Sequence, residues 1–394
     1  MAKLRLMIIQ RLKNPMRRIN AFTFGLIATV ALLLSLLSVT NSSASVQTWR
    51  VVSIPGDHDA IIGVSCYSAV NCVGVSEFSG QISISNTSGN TWTEIHPKNL
   101  GGFAFTSIKC LSNKFCLATG QIGSLPSIGA AIYSSHNGGI NWKFSLKVPV
   151  RHSSKFQLND ANCPTKNICL VSGTTGAKGV LYRTINSGKS WKSVVLPKQP
   201  PNGSIQAIAC PSSTVCYTVQ GSEALVYKSV DSGLSWKTLN VPNNFNFYSS
   251  EKDTPTGLDA ISCGSENFCV AGGYIAHPKL QGTTQPIKWV TTNGGISWYF
   301  SNSFASTGAK STFAVNVHGI SCSTSHDCTI GLSYGQLYAT SDAGRSWLRD
   351  RNIPSPNNNV LSLNCTSAAH CIATVISIFP QKSFTSGEIW VRSK

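Results

Sequence analysis

The chain has 394 residues, with 33 Gly and 17 Pro but only 12% charged side chains, a length and composition suited to one large all-β domain. Six of its 32 Lys and Arg precede residue 20, leaving 26 against 15 acidic residues for the rest, an excess that attracts anionic surfaces at long range. Export of that remainder across a membrane sets nucleic acid aside as its partner.

Residues 1–20 carry Lys3, Arg5, Arg11, Lys13, Arg17 and Arg18 and read as a basic cytoplasmic segment. An uncharged apolar run succeeds it at 22–39, and no acidic residue occurs before Asp57. Positive-inside logic keeps the N-terminus in the cytoplasm and exports the chain beyond the apolar run. Segment 21–40 therefore reads as an apolar helix. It is either a cleaved signal, with small residues at Ser42, Ser43 and Ala44, or a retained anchor; 18 apolar residues lie on the boundary between the two. Either way the domain at 46–394 is extracytoplasmic, secreted or held at the membrane.

From residue 46 the chain repeats one unit, plainest at 205–242. Its first half holds two cysteines with five residues between them: Cys66/Cys72, Cys110/Cys116, Cys163/Cys169, Cys210/Cys216, Cys263/Cys269, Cys322/Cys328 and Cys365/Cys371. These pairs use all 14 cysteines. In an exported chain that regularity implies disulfides, and a five-residue connection lets the two cysteines face each other across a hairpin. Zinc sites favour two- to four-residue spacings and further ligands, and the His residues do not track the pairs, so no metal or other cofactor is expected. Trp92, Trp142, Trp191, Trp236, Trp298 and Trp347 each come after a pair. Nine residues before them stand Ser83, Tyr133, Tyr182, Tyr227, Trp289 and Tyr338.

Successive pairs lie about 43 to 59 residues apart, the period of a four-stranded propeller blade. Short runs rich in Val, Ile, Tyr and Thr, bounded by Gly, Asn and Ser, read as strands. The seventh unit stops at Ile389-Trp390-Val391-Arg392, short of a fourth strand. The missing strand stands at the other end, where Trp49-Arg50-Val51-Val52 matches Trp191-Lys192-Ser193-Val194. The expected fold is a seven-bladed all-β propeller whose N-terminal strand completes the last blade.

Ahead of each Trp lies a turn of pattern Ser/Thr-x-Asp/Asn-x-Gly. Its third position is Asn137, Asn186, Asp231, Asn293 or Asp342, with Thr87 in the first copy. An Asp or Asn there can accept hydrogen bonds from amides two residues on, and Gly tolerates a left-handed backbone. The Trp is expected to bury its face between blades.

This turn resembles the Asp-box, or bacterial neuraminidase repeat, of sialidases, the sortilin luminal propeller and the photosystem II stability/assembly factor family. The resemblance spans nearly all of the chain after residue 45, and the blade count is most similar to the assembly-factor-like propellers. It implies a non-catalytic extracytoplasmic platform that binds a membrane-protein precursor. A cysteine pair in every blade departs from that family. The alternative it implies is a sialidase-like glycoside hydrolase or carbohydrate-binding propeller. Against catalysis, the Phe/Tyr-Arg-Ile-Pro element of sialidases has no counterpart, and Arg345, Arg349 and Arg351 fall in one unit. Glu77, Glu94, Glu223, Glu251, Glu266 and Glu388 could supply a glycosidase carboxylate pair, but none sits in a recognisable setting.

In a propeller the first and third turns of every blade share one face. Here those are the cysteine turn and the Ser/Thr-x-Asp/Asn turn, both of fixed length. Length variation falls on the opposite face, where loops on a rigid scaffold are expected to carry function. Its candidate contacts are Arg151, His152, Lys155, Phe245, Phe247, Tyr248, Lys279 and Lys310. Cationic and aromatic together, they suit a protein or envelope-glycan partner, with anionic character favoured by the charge.

Overall fold

The computed structural model describes residues 48–54, 60–77, 79–97, 100, 103–122, 129–148, 156–176, 178–197, 199–200, 203–242, 256–276, 283–301, 304, 314–355, 358–377 and 387–393. The expected apolar helix at 21–40 lies outside them. Among the described residues no helix is long and apolar enough to cross a membrane.

Seven antiparallel sheets of four strands each form the domain. Blades 1 to 6 span 61–95, 103–148, 156–194, 205–239, 256–301 and 317–350; blade 7 joins 358–392 to Trp49–Val52. The innermost strands, from Ile61–Cys66 to Asn358–Ser367, each pack on the next, and the last packs on the first. That ring is closed at seven.

Burial explains the sequence pattern across a blade. Second strands such as Cys72–Ser76, Cys216–Gln220 and Cys328–Leu332 are buried at every position. A blade has neighbours on both faces, so its middle strands read as continuous apolar runs rather than alternating ones. Outer strands are three residues in most blades, as at Lys192–Val194 and Lys237–Leu239, each with an exposed Lys. Short charged edges of this kind resist pairing with other chains.

All seven expected disulfides form, and no cysteine is free. In five blades the bonded cysteines are direct partners across the first hairpin, as Cys66 is to Cys72. Two residues after the first cysteine of each pair stands a Ser or Thr: Ser68, Ser112, Thr165, Ser212, Ser265, Thr324 or Ser367. Each hydroxyl accepts an amide within its own turn, as Ser212 does from Val215 at 3.0 Å. The cysteine turns are thus closed on themselves.

The third turns are closed too, by a scheme that corrects the expected one. The Ser or Thr hydroxyl donates to the Asp or Asn two residues on, at 2.7 Å from Ser229 to Asp231, and accepts the Gly amide, at 2.8 Å from Gly233. The Asp or Asn oxygen is left to accept the amide four residues on, at 2.9 Å for Ser190 to Asn186, Ser235 to Asp231 and Ser346 to Asp342. Asn137 and Asn293 do the same, and in blade 1 the Thr87 hydroxyl substitutes, accepting Thr91 N at 2.8 Å. The Gly of the turn has φ near +81° at position 233, and a Cβ there would lie 2.6 Å from Leu170 of the preceding blade. Only glycine meets both demands.

Each Trp after a turn is buried except Trp191, which is partly so. The indoles of Trp92, Trp142, Trp236 and Trp347 donate to the carbonyl of their own turn glycine at 2.7–3.2 Å. Trp191 instead reaches Ser145 of the preceding blade at 2.9 Å.

These turns make a testable contribution to acid stability. Partial burial pushes the Asp231 carboxyl up, but the Ser235 hydroxyl and amide, the Ser229 hydroxyl and the Leu234 amide outweigh it and bring it down to about 2. The Ser346 hydroxyl and amide and the Thr340 hydroxyl likewise hold Asp342 at about 2. A carboxyl depressed on folding stabilises above its unfolded pKa near 4 and loses that contribution as pH falls toward 2. The double variant Asp231→Asn/Asp342→Asn is expected to flatten the dependence of melting temperature on pH between 4 and 2. An equally steep acid limb in both proteins overturns the assignment.

The blade-7 closure takes the expected form. Trp49 pairs with Arg392 and Val52 with Ile389. Arg392 occupies the place where other blades carry the turn Ser or Thr, opposite the second cysteine. Its buried guanidinium donates to Thr329 Oγ1 at 3.0 Å, lies 3.7 Å from the Asp350 carboxylate and sits 5.1 Å over the Trp49 ring. Trp49 Nε1 donates to the same carboxylate at 2.8 Å. One Asp of blade 6 thereby holds both ends of the described chain.

Candidate functional site: the central cavity

The innermost strands share a feature that the repeat alone did not reveal. Each carries a register shift at the same place, between Ile61 and Gly63 in blade 1 and between Val360 and Ser362 in blade 7. A bulge leaves one residue without a cross-strand partner and re-aims its side chain. The bulged residues are Ile62, Thr106, Asn159, Gln206, Asp259, His318 and Leu361, each four before the first cysteine, and all seven line one axial cavity of about 700 Å³. The residues after them are small (Gly63, Ser107, Asp160, Ala207, Ala260, Gly319 and Ser362), which keeps the axis open.

Deeper along the axis, toward the cysteine turns, the residue before the first cysteine ties blade to blade. Ser65 accepts Cys110 N at 2.9 Å, Ser262 accepts Cys322 N at 3.0 Å, Ser321 accepts Cys365 N at 2.8 Å, and Asn364 accepts Cys66 N at 3.3 Å. The Asn162 amide donates to Ile208 O at 3.1 Å. In blade 2 that position is Lys109, and Asp160 of blade 3 takes over the linking role. Its carboxylate accepts Ser107 Oγ at 2.8 Å on one side and Ile208 N at 2.9 Å on the other, joining blades 2, 3 and 4.

Four titratable side chains line the cavity: Lys109, Asp160, Asp259 and His318. Burial pushes Lys109 down while Asp160 holds it up. Burial pushes Asp160 up against its hydrogen bonds and the charge of Lys109, so these two compensate each other. Burial lowers His318, and its Nε2 lies 3.0 Å from Ser333 Oγ. Asp259 differs. Burial alone raises it to about 7, and no hydrogen bond or ion pair to its carboxylate is found among the described residues.

Arg151, His152, Lys155, Phe245, Phe247, Tyr248, Lys279 and Lys310 all lie outside the described residues. Of the carboxylates considered for glycosidase chemistry, Glu251 also lies outside them. Glu94 stands on the outer strand of blade 1, beside His96. Glu266 belongs to the cysteine turn of blade 5, and Glu388 in blade 7 accepts the Trp390 indole at 2.7 Å. Glu77 and Glu94 both belong to blade 1, while Glu223, Glu266 and Glu388 belong to blades 4, 5 and 7. Among the described residues no cluster of three or more His, Cys, Asp or Glu could hold a metal ion. Sequence reasoning missed Asp160, Asp259 and His318, which become visible only when the units are aligned on their first cysteine and the chemistry three and four residues earlier is compared.

No protein-family model matches the chain, and no curated protein sequence matches it. Solved structures do. YCF48 bound to D1 peptide is similar over 88% of this chain and 97% of its own, with a TM-score of 0.59 and 14% identity. YCF48 from Cyanidioschyzon merolae is similar over 88% and 98%, with a TM-score of 0.56 and 14% identity. Virginiamycin B lyase from Staphylococcus aureus is similar over 88% and 99%, with a TM-score of 0.60 and 11% identity. At such identities the likeness is one of fold: this chain is similar to a propeller with a peptide bound and to a propeller that is a lyase.

Proposed function

We propose that the chain is a non-catalytic extracytoplasmic platform that binds a protein partner, resembling the photosystem II assembly-factor-like propellers. The observation that carries the reading is the unequal treatment of the two ends of the ring. At one end every cysteine turn is bridged by a disulfide, and the third turns satisfy their polar groups internally. In the sequence, length variation falls on the second turns and the links between blades, which suits a scaffold that presents loops. The fold likeness to YCF48, with a D1 peptide bound to that protein, supports a polypeptide as the ligand class. We read the third turn as an Asp-box. Disulfides in all seven blades fit an oxidising compartment, with segment 21–40 as signal or anchor.

Arg151, Lys155 and Lys279 are the proposed electrostatic contacts on the variable face. Reversing all three to Glu is expected to lower partner capture by roughly tenfold or more, since charge reversal turns attraction into repulsion. Crosslinking in intact cells, with identification of the captured proteins, is the measurement. Capture by the native chain with no loss in the triple variant removes these residues from the interface. Failure of the native chain to capture any specific protein removes the platform.

A further inference from the structure

The cavity carries a more specific inference, which rests on the platform reading. We propose that its mouth on the variable side receives a cationic group, a lysine ammonium or arginine guanidinium of the partner polypeptide, with Asp259 as counter-ion. Asp259 is the bulged residue of blade 5, flanked by the bulged Gln206 of blade 4 and His318 of blade 6. The Gln206 amide lies against Gly221, and the carbonyl of Gly221 abuts Gly257 on the strand of Asp259. Gln206 and Asp259 both line the cavity, from adjacent blades.

The cavity has the wrong number of charges for a resting structure. Lys109 and Asp160 answer each other. Lys109 also stands three residues beyond the bulge of its own inner strand, about 10 Å nearer the cysteine turns at 3.3 Å per residue. Burial keeps His318 neutral, and the Tyr274 phenol is held protonated by burial and by the charge of Asp259. Asp259 is left as a carboxylate without a cation among the described residues. A partly buried carboxylate with no partner costs stability, and groups perturbed by desolvation in a cavity mark binding sites. An ammonium or guanidinium supplies the missing charge, and the cavity offers its further N–H groups the polar side chains of the adjacent blades. The positive charge of the domain as a whole does not forbid this, since it is screened beyond about 8 Å at physiological salt.

Binding of a cation here depends on pH with a definite sign. A carboxyl at about 7 is half protonated near neutrality, and a bound cation pulls it down. Binding therefore releases protons near pH 7 and strengthens as pH rises from about 5.5 to about 8. The test is calorimetry of the full chain in detergent with acetyl-arginine amide, run at pH 7 in two buffers of different ionisation heat. Saturable binding with proton release is expected, weakened on the order of 30-fold or more in Asp259→Asn. The uncharged acetyl-citrulline amide is expected not to bind. Asp259→Asn is also expected to melt higher than the native chain at pH 8 and no higher at pH 4, because the raised carboxyl opposes folding only where it must ionise. That comparison shows the variant to be folded. Equal affinity in Asp259→Asn, or no binding by the native chain, overturns the inference. If the native chain still captures its partner in cells, the platform survives that outcome; if capture fails while acetyl-arginine amide binds, the platform falls and the cation site stands.

Discussion

Reduction of the seven disulfides is expected to unfold the propeller at 37 °C. Each bond closes a loop with a sequence separation of six, which contributes about 2 kcal/mol by chain-entropy reasoning. Seven such loops sit in different blades, so their effects add to first order. The sum, on the order of 10–15 kcal/mol, is comparable with the whole stability of an ordinary domain. The second cysteine of the pair is fully buried in six blades, at 0% exposure for Cys72, Cys116, Cys169, Cys216, Cys269 and Cys371. Reduction must therefore wait for local opening and is expected to be slow in native buffer and fast in mild denaturant. Circular dichroism with and without a phosphine reductant, with thiols counted by mass, measures the effect. An unchanged melting temperature after complete reduction refutes it. The single-blade variant Cys210→Ala/Cys216→Ala is expected to lose only about 2 kcal/mol and to stay folded.

The second large effect belongs to the closure. Removing residues 46–55 deletes the outer strand of blade 7 and leaves Arg392, 5% exposed in the intact ring, beside an open sheet edge. Point variants separate the parts of this clasp. Trp49→Ala is expected to cost about 3–5 kcal/mol, as for any large buried aromatic. Asp350→Ala is expected to cost a similar amount, about 3–5 kcal/mol, because it strands a buried guanidinium without its counter-charge. Burial already lowers the Arg392 pKa against the pull of Asp350. The two substitutions remove groups joined by one hydrogen bond, so the double variant is expected to lose less than their sum. Urea unfolding of the four proteins tests this, and melting of the truncated chain at the native temperature refutes the closure as a source of stability.

How legible these features were depends on whether a residue answers to the repeat or to the axis. The cysteines, the turn glycines and the Trp after each turn have the same neighbours in every blade, so each recurs and the seven-fold ring could be read from spacing. Trp49 was legible for the same reason, since it fills the place of Trp191 or Trp236 although it stands at the other end of the chain. The role of Asp231 and its equivalents was read one step wrong. The hydroxyl two residues earlier occupies the near amide, at 2.8 Å for Ser229 and Gly233, and pushes the acceptor's partner out to the fourth residue. Arg392 was not legible, because with no turn after it the pattern that names its position is missing. The cavity was hidden for a different reason. Ile62, Thr106, Asn159, Gln206, Asp259, His318 and Leu361 face the open axis, where no neighbouring blade imposes a common partner, and nothing in their chemistry repeats.

The split last blade also bears on when the ring can form. Trp49 leaves the ribosome more than 340 residues before its strand partner Arg392, and its hydrogen bonds to Asp350 and Asn352 of the sixth unit become possible almost as late. Six blades can assemble in order as the chain emerges, each from its own local hairpins. The opening strand must wait without a strand partner until the final one arrives, and that long-range step has the largest loop-closure cost of the strand pairings described. Completion is thus all-or-none with respect to synthesis: a product interrupted anywhere before the last strand keeps an unsealed edge, and that edge would mark it out to the cell's quality-control machinery.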